Sequence, residues 1–69
     1  MQDELSAGVA IRKARQRERM TQAELADLLG VHVVSIRNWE RGRHYPQRYA
    51  GAVEAALGII LPEPDRAAS

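Results

Sequence analysis

Two short helical segments in this chain are separated by almost nothing, and that restricts the fold more than any other feature. Residues 21–29, TQAELADLL, open with Thr21 and Glu24 in a T-x-x-E arrangement that satisfies the free N–H groups of a helix start. Leu25, Ala26 and Leu29 form the apolar face, and Gly30 is placed to stop the helix as a left-handed cap. The second segment, residues 32–41, follows after a turn of about three residues. On a helical wheel Ile36 and Trp39 point one way, with Glu40 beside them, while Val34, Arg37, Asn38 and Arg41 point the other. Gly42 ends this segment. Helices joined so tightly must pack on each other, and Ala26 is small where the second would come close.

Local propensity argues against the second helix. Val31-His32-Val33-Val34-Ser35-Ile36 is rich in β-branched residues and taken alone reads as a strand. The glycines on both sides and the Ile36/Trp39 spacing favour the helix, and a conflict of this kind is expected at a functional surface. Two placements remain open for the valines. Either Val33 and Val34 both face outward at the helix tip, or Val33 folds back into the core and Val34 alone is exposed.

The rest of the chain supplies walls for this pair. Residues 6–19 read as a first helix whose stripe is Ala7, Ile11, Ala14 and Glu18, with Arg15 at its edge. Leu5 and Val9 lie off the stripe, where the apolar GIIL near the C-terminus is a candidate partner. Residues 41–47, RGRHYPQ, are a basic loop carrying an aromatic. A fourth helix is expected over residues 47–57, with Tyr49, Val53 and Leu57 repeating every four and Ala52 and Ala56 alongside. Gly51 within it is tolerable if another backbone presses close. Residues 1–60 form one domain in this reading, and residues 61–69 a frayed tail.

Composition excludes several classes. A chain of 69 residues without cysteine holds one small domain, with neither disulfides nor thiolate metal sites. No apolar run reaches the ~18–20 residues that span a bilayer, and the acidic, polar MQDELSAG is unlike a secretory signal. A soluble cytoplasmic protein is expected, with no membrane partner. His32 and His44 have no cysteine or nearby carboxylate to complete a metal site. No serine sits in a nucleophile's context and no glycine-rich phosphate loop occurs, so neither enzyme activity nor a cofactor is expected. Net charge is only +1, but residues 12–48 carry nine positive side chains against four negative, and both flanks are acidic. A basic middle of this kind suits a polyanion.

Two short helices around a tight glycine turn describe a helix-turn-helix, in which the first helix bridges the DNA backbone and the second enters the major groove. MTQAELADLLGVHVVSIRNWERG resembles the phage-repressor and Cro-like helix-turn-helix family, the lambda-repressor-like domain, over about residues 9–58. The anchors are TQAELA, Leu29-Gly30-Val31, Ile36 and WERG. The resemblance implies an all-α domain of four or five helices that binds double-stranded DNA sequence-specifically as a small bacterial or phage regulator, repressor-like and nucleoid-associated. It assigns base reading to Val33, Val34, Arg37 and Asn38. Phosphate contacts fall to Gln22, His32, Ser35, Arg41, Arg43, Tyr45 and Arg48, and a buried ion pair to Arg15 and Glu40. The chemistry suits these roles: Asn pairs with adenine, Arg with guanine, and valine packs on thymine methyls.

Departures from the family pattern bear on the outcome. Relatives usually carry Ser or Thr where this chain has His32, which leaves the imidazole to reach a phosphate or to stay solvated. Tyr45 either meets a phosphate or covers its loop. Ala14 replaces a larger residue, and LPEPDRAAS is poor material for a fifth helix. Homodimerisation is therefore left open. So is the role of Ile59, Ile60 and Leu61, which could cover the core, pair two subunits, or hold a protein partner in an antitoxin- or adaptor-type role.

Overall fold

A computed structural model describes residues 6–62 of the chain. Leu5 and the tail beyond residue 62 lie outside the described residues. Among the described residues there are four helices: α1 (Ala7–Arg17), α2 (Gln22–Leu29), α3 (Val33–Glu40) and α4 (Ala50–Leu57). Among the described residues there is no strand, so tertiary context overrides the β propensity of residues 31–36. None of the described helices is long and apolar enough to cross a membrane.

Each helix start and stop has a visible cause. Ser6 Oγ caps α1 by accepting from Val9 N at 3.2 Å. Thr21 and Glu24 complete the expected capping box on α2, at 3.0 Å and 2.8 Å. The helix α4 begins three residues later than the sequence suggested. Pro46 O accepts from Tyr49 N to close a tight turn first, and Tyr49 gives no side-chain cap. All four helices end on a left-handed residue: Gly30, Gly42 and Gly58 after α2, α3 and α4, and Arg19 after α1, with φ of 59°. At the first helix end Met20 N donates to Arg15 O and Arg19 N to Gln16 O, the double bond of a Schellman motif. Arginine in that conformation costs about 1–2 kcal/mol that glycine avoids.

The core takes one fully buried aliphatic side chain from each helix: Ile11, Leu25, Ile36 and Val53. Ala14, Ala26, Trp39 and Leu57 close around them. Leu61, one residue beyond the expected domain edge, also belongs to this core. It is 5% exposed, and its backbone N donates to Glu54 Oε2 at 2.8 Å. Ile59 packs half-buried beside it, while Ile60 is 88% exposed. Of the three residues, Ile60 is the one most open to a partner. Glu18, assigned to the apolar stripe of α1, is instead an exposed C-cap.

The close backbone approach considered for Gly51 occurs at a different glycine. Gly51 has no atom within 4 Å of where a Cβ would stand, so no backbone presses on it. Gly8, which carries no sequence signal, is the site of close approach. A Cβ there would lie 2.5 Å from Trp39 O and 2.8 Å from Glu40 O, so α1 rests directly on the C-terminal backbone of α3.

Two predictions follow from this packing. Gly8→Ala should destabilise by about 1–2 kcal/mol, because the clash outweighs the gain in helix propensity; a thermal melt at or above the wild-type midpoint would refute the close approach. Leu61→Ala should destabilise by about 2 kcal/mol or more, while Ile60→Asp should stay within about 0.5 kcal/mol. Equal effects of these two in a urea titration would mean the strap does not seal the core.

Candidate nucleic-acid interface

The site begins with a buried carboxylate. Glu40, in the last turn of α3, has a side chain only 3% exposed. Its Oε2 accepts from Arg15 Nε at 2.7 Å, and its Oε1 from Arg15 Nη2 at 3.1 Å and Gln22 Nε2 at 3.0 Å. The remaining Arg15 nitrogen, Nη1, donates to Met20 O at 2.8 Å. One bidentate pair thus ties α1, the α1–α2 turn and the start of α2 to the end of α3. The hydrogen bond to Glu40 raises the Arg15 pKa above its ordinary value, burial opposes this, and the charge of Glu40 adds to it. Because the shift is upward, its contribution to stability is complete below the ordinary guanidinium pKa. It is lost only as pH rises beyond that.

Fixing this end of α3 decides which face is offered to solvent. Ile36, Trp39 and Glu40 point inward and are buried. Val34 is 44% exposed, Arg37 is exposed and Asn38 half-buried. Among the described residues the side chains of Arg37 and Asn38 make no hydrogen bond or ion pair. Val33 is half-buried and packs against the core, which is nearer the second of the two placements left open.

The tip of α3 is capped in an unusual way. His32 Nδ1 accepts from Val34 N at 3.1 Å, taking the place of the expected hydroxyl. That bond puts the ring proton on Nε2, so an exposed N–H donor stands at the helix start. Ser35 is half-buried and, with Trp39, Pro46, Gln47, Arg48 and Tyr49, lines an open groove of about 270 Å³ that Tyr45 also borders. The Trp39 and Tyr49 rings lie 5.8 Å apart.

Other phosphate candidates divide. Arg41, Arg43 and Arg48 are exposed around the α3–α4 loop. Gln22 stands at the N-terminus of α2 as expected, but one of its amide protons is committed to Glu40. The Tyr45 hydroxyl donates to Pro62 O at 3.0 Å and pins the C-terminal strap to the loop, in keeping with the loop-covering role left open for it. Covering the core was one of the roles the sequence left open for this segment, and Leu61 takes it.

Comparison with known proteins decides the family. A family model described as helix-turn-helix matches residues 11–61, which includes every helix-pair feature above. The chain belongs to the phage-repressor and Cro-like helix-turn-helix family. As such it is a DNA-binding helix-turn-helix domain, with α2 and α3 as the motif. It is 37% identical over 59 residues to Multiprotein-bridging factor 1 of Debaryomyces hansenii and 39% identical over the same length to that of Candida albicans. These alignments take in 84% of this chain and 39% of each relative, so the chain spans about two-fifths of their length. No solved structure matches it significantly.

The helix-turn-helix depends on the buried pair, which gives a stability prediction. Arg15→Ala should destabilise by roughly 3 kcal/mol by stranding a buried carboxylate. Replacing Arg15 and Glu40 together by leucine should lose much less than the sum of the single losses. Additive losses in a double-mutant cycle would show that the two are not energetically coupled.

Proposed function

We propose that this domain binds double-stranded DNA sequence-specifically by laying α3 in the major groove, and regulates transcription in the manner of a small repressor. One observation carries the reading. The helix is anchored on its inner side by Ile36, Trp39 and Glu40, yet among the described residues the side chains of Arg37 and Asn38 on the opposite face, beside the exposed Val34, make no hydrogen bond or ion pair. Arg37 offers two donors to a guanine, the Asn38 carboxamide matches adenine, and Val34 suits a thymine methyl. His32, Ser35, Arg41, Arg43, Arg48 and the free N–H of Gln22 surround that face and supply phosphate contacts, which fix register without reading sequence.

A second reading draws on the relatives, whose name describes a factor that bridges several proteins. In it the same domain holds DNA while another surface holds protein. Among the described residues Ile60 and Leu28, at 88% and 60%, are the most exposed large apolar side chains and suit that contact.

Selection from randomised duplexes tests the first reading. A single enriched site is expected, and a palindromic one with half-sites a helical turn apart would report two copies of the chain. Asn38→Ala should relax preference at one base position, whereas Arg43→Ala should weaken all duplexes alike. A pool that stays unenriched at low salt would count against sequence-specific binding. A reporter carrying the selected site then separates the readings: occupancy by the isolated chain lowers transcription in the first and leaves it unchanged in the second.

A further inference from the structure

Arg19 stands in the left-handed conformation that the other three helix ends give to glycine. Its φ is 59°, against 72°, 78° and 66° at Gly30, Gly42 and Gly58. A Cβ at those three glycines would meet nothing within 4 Å. The preference for glycine there is thus a matter of backbone conformation rather than space. A long cationic side chain at the fourth position bears that conformational penalty. Arg19 is exposed, and among the described residues its guanidinium has no hydrogen bond or ion pair.

Its mount is nevertheless rigid. Arg19 N donates to Gln16 O and Met20 N to Arg15 O, while the next carbonyl, that of Met20, is held by Arg15 Nη1 at 2.8 Å. Through Arg15 and Glu40 the same turn is tied to the end of α3, immediately before the exposed Arg41. Arg19 also lies three residues ahead of Gln22, at the start of the helix that bridges the backbone. An unpaired cation fixed at a strained position beside a DNA-facing element points to an anion outside the chain.

We infer that Arg19 is a phosphate-binding residue of the interface, a contact with the DNA backbone kept at this turn at the expense of folding stability. The inference rests on the DNA-binding reading above. It implies that stability and affinity move in opposite directions at this one position.

Arg19→Gly, Arg19→Gln and Arg19→Lys, made in the full chain, separate conformation from charge. Anisotropy with the selected duplex and a scrambled one, between about 50 and 200 mM salt, gives affinity and salt slope. Arg19→Gly should melt above wild type, and Arg19→Gln close to it. Both should bind the two duplexes more weakly by the same factor, with the plot of log K against log salt shallower by about 0.9, one phosphate contact. Arg19→Lys should keep the wild-type slope. If the Gly and Gln variants bind with wild-type slope while Asn38→Ala still loses its base preference, DNA binding stands and the assignment of Arg19 is overturned. A loss confined to the selected duplex would overturn the phosphate role in favour of base contact. If wild type binds neither duplex at any salt, the DNA reading fails and takes this inference with it.

Discussion

A carboxylate cannot be buried in a domain this small without nearly complete compensation, and Glu40 obtains it from two side chains that sequence separation places far away. Arg15 reaches it from α1 and Gln22 from α2, while the third arm of Arg15 holds the turn between those helices. The pair therefore works as a clamp on geometry. It sets the angle at which α3 leaves the body of the protein, and with it the face that α3 presents.

Apolar packing alone would not fix that angle. The four fully buried aliphatic residues are compact and similar in shape, one per helix, and Ala14 and Ala26 add little bulk. Small residues let helices approach, and Gly8 takes this to its limit by seating α1 against the carbonyls of Trp39 and Glu40. Glu40 thus meets α1 twice, through its side chain and through its backbone. The C-terminal strap adds a second lock on the opposite flank, with Leu61 in the core and Pro62 O accepting from Tyr45. The α3–α4 loop with its arginines is consequently anchored at both ends.

Much of this was legible in the sequence. The T-x-x-E box, Gly30, Gly42 and the Ile36/Trp39 spacing are local signals, and each appears as an observed cap or buried face. The Arg15–Glu40 pair was legible only through the family pattern, since nothing local joins residues 25 positions apart. Gly8 was invisible because its role lies in what α3 does opposite it. Gly51 misled for the same reason in reverse. At Arg19 a charged residue hides a left-handed stop that glycine would have announced. For Ile59, Ile60 and Leu61 the sequence could not choose between covering the core and meeting a partner, because prolines and acids follow them and no helix period sorts their faces. Of the two valines that made residues 31–36 look like a strand, Val33 supports the core and Val34 remains outside. Propensity could not divide that labour.

The central claim is that α3, clamped at Glu40, offers its outer face to a double helix. Nuclear magnetic resonance of isotope-labelled protein titrated with duplex DNA tests it residue by residue. The account expects the amides of Val34 and Arg37 and the side-chain NH₂ of Asn38 to shift most, with α4 residues such as Ala55 scarcely moving. Shifts concentrated on α4 and Ile60, with α3 unperturbed, would contradict it.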